Sequence, residues 1–185
     1  MLRRTMIALG CAGLLVGATP DPWQVVQDAT PGTVILLRHA VAPGVGDPPG
    51  FRLDDCATQR NLSEEGRQQA RQWGSRLRER GIPVVQVLSS QWCRALDTAT
   101  EMDVGPVIPF PPLNSFFSDR SPAEAQTQAV LDWMTSQRPE PGIVLMVTHQ
   151  VNITALTGIV PQSGEGIVVQ LNEAGMLRVL GRVSP

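Results

Sequence analysis

Three short apolar runs decide what this chain can fold into. Thr33–Arg38 (TVILLR), Val84–Leu88 (VVQVL) and Ile143–Thr148 (IVLMVT) are rich in β-branched residues and hardly interrupted by polar ones. A strand with one wet face alternates apolar and polar residues. A nearly unbroken apolar strand is buried on both faces, as inside a parallel sheet covered by helices. The segments between these runs supply the helices. Ser63 is placed to cap one, with Glu64 and Glu65 in its first turn. Ala70, Trp73 and Leu77 follow at helical spacing, and Gly81 stands where a stop is expected. A second helix runs from about Gln91 to Met102. A third covers 122–137 behind Ser121-Pro122 and carries Ala125, Ala129, Leu131 and Trp133. A fourth opens over Val151–Thr157. Pro106 to Pro112 reads as a short extended piece. Gly166–Leu171 and Met176–Val183 flank Asn172-Glu173-Ala174-Gly175 as a β-hairpin. Strands alternating with helices predict an α/β fold, a three-layer α/β/α sandwich around a mostly parallel sheet, in one domain over 19–185.

The first residues follow a different logic. Arg3 and Arg4 precede an apolar run from Met6 to Val16, and Gly17-Ala18-Thr19-Pro20 follows. A basic start, an apolar run of eleven residues and small residues before a proline predict a signal peptide over 1–18, hence a periplasmic or secreted protein. A lipoprotein attached through Cys11 and an uncleaved anchor are the other readings. The run is short for a bilayer-spanning helix, and no membrane span is expected in 19–185. Every basic residue is Arg, and the net charge of −2 gives no reason to expect binding to nucleic acid or a membrane surface. Cys56 and Cys93 remain in 19–185. In an oxidising compartment they read as one disulfide, and as two buried thiols otherwise.

Both histidines of the chain end a buried strand, His39 after VILLR and His149 after IVLMVT. In open α/β sheets ligands bind beyond the carboxyl ends of the strands, so both imidazoles belong at the edge where chemistry is expected. Arg38 adjoins the first. Arg94 follows Val84–Leu88 by a few residues, at the start of a helix whose free N–H groups favour an anion. Arginine also grips phosphate through two N–H groups at once. Two imidazoles and two guanidiniums converging there predict a pocket for a dianion.

These residues carry a resemblance. Arg38-His39-Ala40 after a strand resembles the Arg-His-Gly signature of the histidine phosphatase superfamily, the phosphoglycerate-mutase-like fold. Leu62-Ser63-Glu64-Glu65-Gly66-Arg67-Gln68-Gln69-Ala70 is similar to its next segment, and Ser90-Gln91-Trp92-Cys93-Arg94-Ala95-Leu96-Asp97-Thr98-Ala99 to the one after that. Val147-Thr148-His149 stands where the second family histidine follows its strand. The four segments occur in family order over about residues 33–158.

The resemblance implies a phosphatase with His39 as nucleophile, and Arg38, Arg94 and His149 holding the phosphoryl oxygens. It implies no cofactor and no metal, and the Cys and His spacings do not match a zinc site. The partner is then a small phosphorylated substrate. Short exported members of the superfamily include lipopolysaccharide heptose-phosphate phosphatases, which points to an envelope sugar phosphate. A phosphohistidine protein phosphatase and a catalytically silent phosphate-binding domain are the alternatives.

The chain departs from the family pattern in two ways. Ala40 replaces the signature Gly, and Leu113-Asn114 is followed by Ser115-Phe116 rather than by the Glu-Arg of larger members. Asp54, Asp55 and Asp119 are therefore the candidate proton donors. In the loop over 43–61, Arg52 and Arg60 are candidates for a second anionic group, with Phe51 as a cover. Asn152 is a further candidate for the same pocket. The resemblance also places this loop near Arg94, which favours a Cys56–Cys93 bridge.

Overall fold

The structure is a computed structural model that describes residues 21–137 and 140–185. The signal-peptide reading of 1–18, with Cys11, lies outside the described residues. In chain order the elements are α1 (Gln24–Gln27), β1 (Thr33–Arg38), α2 (Glu64–Glu79), β2 (Val84–Ser89), α3 (Cys93–Met102), β3 (Val107–Pro109), α4 (Ala123–Ser136), β4 (Ile143–Thr148), α5 (Gln150–Thr157), β5 (Gly166–Leu171) and β6 (Leu177–Val183). Single 3₁₀ turns occupy Cys56–Thr58 and Pro111–Leu113. None of the described helices is long and apolar enough to cross a membrane.

The six strands form one sheet in the order β3-β2-β4-β1-β5-β6. The pairs β3/β2, β2/β4 and β4/β1 are parallel, and β5 runs antiparallel to both neighbours. The apolar runs read as two-faced strands are two-faced. In β1, Ile35 and Leu37 enter the layer beneath α2 and α3, where Ala70, Trp73, Leu77, Ala95, Ala99 and Met102 pack. Val34 and Leu36 face the other layer, with Val130 of α4 and Ile153 of α5. The result is the expected three-layer α/β/α sandwich.

Two glycines let the layers close. A Cβ on Gly66 would lie 2.1 Å from the Val41 carbonyl oxygen, and one on Gly74 would lie 1.8 Å from that of Met102. Both obstacles are backbone, so α2 can press onto the loop after β1 and onto the end of α3 only with glycine at these contacts. Ser63 caps α2 as expected, accepting from the Gly66 N–H at 3.1 Å.

The chain leaves β1 for α2 on one face of the sheet and leaves β4 for α5 on the other. β1 and β4 are neighbours, so the crevice between their carboxyl ends is the switch point at which open α/β sheets bind ligands. His39 and His149 are the first residues beyond those two ends.

Candidate active site

The two histidines and Ser90 sit on continuations of the strand ladder. The His39 N–H donates to the Thr148 carbonyl at 2.9 Å, and the Ser90 N–H donates to that of Val147 at 2.9 Å. Three adjacent strands thus present His39, His149 and Ser90 side by side, with the imidazole centroids 5.3 Å apart. Arg38, His39, Arg60, Arg94 and His149 line one pocket of about 360 Å³, together with Asp47, Phe51, Trp92, Phe117 and Asp119.

The hydrogen bonds fix the state of His39. Its Nδ1 lies 2.8 Å from the Ala40 carbonyl, which can only accept, so Nδ1 carries the hydrogen. Its Nε2 lies 3.3 Å from Arg94 Nε, which can only donate, so Nε2 presents a lone pair to the pocket. The ring is 2% exposed. That burial, then the positive charge of Arg94, lowers its pKa to about 3, with Arg60 and Arg38 adding to the effect. A nucleophilic nitrogen at physiological pH is the outcome. His149 is also held neutral, by burial first and then by His39 and the arginines.

His149 is oriented from behind. Its Nε2 meets the Ser90 hydroxyl at 2.8 Å, and Ser90 Oγ in turn reaches Asn114 Oδ1 at 3.3 Å. Asn114 belongs to the Leu-Asn pair that lacks the following Glu-Arg. It serves here as the anchor of a relay, accepting from the Gln91 N–H at 2.8 Å and donating to Gln91 Oε1.

Arg38 donates through Nη1 to the Pro161 carbonyl at 2.9 Å, while its buried Nε has no partner among the described residues. Arg60 is turned to the pocket by bonds to the Gly46 and Ala42 carbonyls. Burial, followed by repulsion from Arg94, lowers the pKa of both arginines. Arg94 is 2% exposed, and its terminal nitrogens grip Asp47, Nη1 to Oδ1 at 2.7 Å and Nη2 to Oδ2 at 3.1 Å. Asp47 also accepts from the Arg60 N–H at 3.1 Å and from the Trp92 indole at 3.0 Å. Burial opposes its ionisation, but the Arg94 contacts outweigh that and hold its pKa below the usual carboxylate range. The Cys56–Cys93 disulfide, with Cα atoms 5.7 Å apart, ties the loop after β1 to the residue beside Arg94.

Several expectations need correction. Arg52 does not line the pocket: its side chain is 65% exposed and pairs with Asp55. Asp55 caps the 3₁₀ turn at Cys56–Thr58 and, like Asp54, lies outside the pocket. Only Asp119 of the three candidate donors lines it. It sits at the exposed rim, where the N–H and hydroxyl of Ser121 lower its pKa. Asn152 is buried but bonds the Asn114 carbonyl at 2.8 Å, and so braces the relay rather than the pocket. The second helix begins at Cys93 instead of Gln91, and the N–H groups leading into it are already engaged. The N–H of Gln91 goes to Asn114, that of Trp92 to Ser90, and that of Cys93 to Gln59. An anion at this site must therefore be held mainly by side chains.

Sequence reasoning missed Asp47, Ser90, Asn114 and Gln59. The only local signal was that Ser90 and Asn114 stand inside or beside the segments that drew attention. Among the described residues, no group of three His, Cys, Asp or Glu side chains is placed to hold a metal ion.

The family model for the histidine phosphatase superfamily (branch 1) matches residues 34–112, which contain His39, Arg60 and Arg94. No curated protein matches the chain in sequence. Solved structures match in fold. The protein histidine phosphatase SixA, in complex with tungstate, aligns at 20% identity with a TM-score of 0.57, over 83% of this chain and 97% of that one. A putative phosphohistidine phosphatase SixA from Agrobacterium tumefaciens aligns at 18% identity and TM-score 0.58, over 84% and 99%. A mycobacterial glucosyl-3-phosphoglycerate phosphatase, bound to VO3, aligns at 19% identity and TM-score 0.60, over 83% and 98%.

Proposed function

We propose that this chain, whose residues 34–112 match the histidine phosphatase superfamily, is a phosphatase of that superfamily and hydrolyses a small phosphomonoester through a phosphohistidine on His39. The observation that carries this reading is the state of His39: neutral, with Nδ1–H tied to Ala40 and the Nε2 lone pair beside Arg94.

In the first step Nε2 attacks phosphorus, the P–N bond forms and the ester P–O bond breaks. The alkoxide leaves and takes a proton from water at the solvent-exposed mouth of the pocket, since Asp119 at that rim is held ionised by Ser121. In the second step water attacks phosphorus, the P–N bond breaks and inorganic phosphate departs. Arg38, Arg60 and Arg94 offset the charge on the phosphoryl oxygens, and neutral His149 forms the wall of the site beside His39. Preorganised positive charge and positioning supply most of the catalysis in phosphoryl transfer.

The pocket walls bear on the substrate. Phe51 and Trp92 pack at 5.5 Å, Phe117 lines the same cavity, and the rim charge at Asp119 is negative. These groups suit an ester whose remainder carries no second anion, an uncharged sugar included. Among the described residues no buried, protonated acid stands beside His39, which supports a second reading, a phosphohistidine substrate, whose imidazole leaves readily. We place the protein in the periplasm or outside the cell, on the signal-peptide pattern of 1–18. The Cys56–Cys93 bridge suits such an oxidising compartment.

The test is p-nitrophenyl phosphate hydrolysis in EDTA by the protein and by His39→Ala, with an alkaline detergent quench to trap an acid-labile, base-stable phosphoprotein. Turnover and trapped label in the first, and neither in the second, are expected. Turnover surviving in His39→Ala would refute the assignment. Competition by phosphohistidine and by an aryl phosphate separates the two substrate readings.

A further inference from the structure

We infer that Asp47 is the positioning residue of this active site: its carboxylate holds the far end of Arg94 so that Arg94 Nε–H is aimed at His39 Nε2, where phosphorus must arrive. This inference rests on the phosphatase reading above for its catalytic consequence, but not for its geometry.

Asp47 has no counterpart in the motifs that pointed to the site, and it lies in the Gly- and Pro-rich stretch after β1. Its surroundings are nevertheless built. The Asp47 and Arg94 side chains are 9% and 3% exposed, and four N–H groups converge on the two carboxylate oxygens. They come from α3, from the residue before it and from Arg60, so the carboxylate also registers the loop against the helix.

A carboxylate on a phosphate-binding arginine invites another explanation, that it fills the phosphate's place and must leave before substrate binds. The guanidinium geometry decides against this. A guanidinium has five N–H bonds. Asp47 takes one from each terminal nitrogen, at the end of the group. Nε–H lies on the side edge and points at His39 Nε2 at 3.3 Å. That edge remains available for phosphoryl oxygens while the end stays clamped. The Trp92 indole and the Arg60 N–H hold the carboxylate in this position independently of Arg94.

Burial makes the clamp consequential. An unclamped Arg94 side chain rotates away from the reacting nitrogen, and displacements of about 1 Å near reacting atoms cost on the order of 100-fold in rate. Attraction of a dianion to the pocket depends on charge more than on angle, and Arg38 and Arg60 continue to supply it.

Two measurements test the inference. In the first, the uniformly ¹⁵N-labelled protein is titrated with tungstate, and the Trp92 indole cross-peak, assigned with Trp92→Phe, is followed. A clamp predicts that the hydrogen-bonded shift persists in the tungstate complex. Collapse of that shift to a solvent-exposed value would mean that Asp47 departs, and would overturn the inference whether or not the protein turns over any ester. In the second, Asp47→Asn keeps shape and one acceptor but presents an amide donor to Arg94, and Asp47→Glu keeps the charge. The expected result for Asp47→Asn is a 10- to 100-fold fall in kcat with the tungstate Kd within about threefold of wild type. Partial recovery is expected in Asp47→Glu. An unchanged or raised kcat in Asp47→Asn, or a Kd weakened as much as kcat falls, would overturn it. Absence of turnover in the unmodified protein would count against the phosphatase reading, and the indole titration would then decide the role of Asp47 by itself.

Discussion

Acid should destabilise the ligand-free protein through His39 by an amount the structure sets. In the unfolded chain the imidazole takes up a proton near pH 6.5, whereas in the fold it stays neutral down to about 3. The folded pKa is depressed, so the unfolded state binds a proton that the folded state refuses. The stability associated with the neutral ring is therefore present above pH 6.5 and is lost as the pH falls toward 3. The slope is about 1.4 kcal/mol per pH unit in that window. From pH 7.5 to 4.5 the loss integrates to about 2.6 kcal/mol, because only the part below 6.5 counts. The assay is urea denaturation of the protein and of His39→Asn at both pH values. Carboxylates and His149 titrate in both proteins, so the difference between the two pH-dependent losses isolates His39. The native protein should lose about 2.6 kcal/mol more than the variant. Parallel losses would refute the reasoning, since His39 would then titrate in the fold as it does unfolded.

Three further outcomes follow from the packing. Gly66→Ala drives a Cβ against the Val41 carbonyl oxygen at 2.1 Å, so it should cost about 1–3 kcal/mol by thermal or urea unfolding, and turnover should fall because Val41 lies two residues past His39. Cys56→Ser together with Cys93→Ser opens a loop closed over 37 residues; a loss of about 2–4 kcal/mol is expected, with a raised KM, and an unchanged midpoint would show that the loop is held without the bridge. Arg52→Ala should leave kcat/KM within about twofold of wild type, as an exposed pair of this kind contributes little, and a large loss would return Arg52 to the substrate.

The strands were legible because burial on both faces leaves a mark in every residue. Thr33–Arg38 and Ile143–Thr148 are bounded as the sequence implied, and the hairpin over 166–183 needed only its turn to be recognised. Its attachment beside β1, antiparallel, is a long-range choice with no local trace. The start of α3 was misplaced by two residues because the N–H groups of Gln91 and Trp92 are taken by Asn114 and Ser90 side chains. The strand-borne part of the site was legible for the same reason as the strands: His39 and His149 end them. Asp47 was not, since its partners are 13 to 47 residues away and a carboxylate in a Gly-Pro loop looks like any solvated acid. Asn152 lies two residues into α5 beyond its first residue, and a shift of one helical position changes which neighbour its amide meets. The structure gives that neighbour as Asn114.

The ladder bonds beyond β1 and β2 make the sheet a ruler for the chemistry. Parallel strands lie about 4.8 Å apart, and the 5.3 Å between the two imidazole centroids is that repeat carried one residue past the sheet. The distance between the two imidazoles is therefore set by backbone pairing, which almost any apolar sequence can maintain. The core can then vary widely without moving the two histidines, and the architecture itself is shared at 18 to 20% identity. The other walls of the pocket come from the loop over 43–61 and the segment around Phe117, which lie off the sheet and can change in length and composition while the ruler stays fixed.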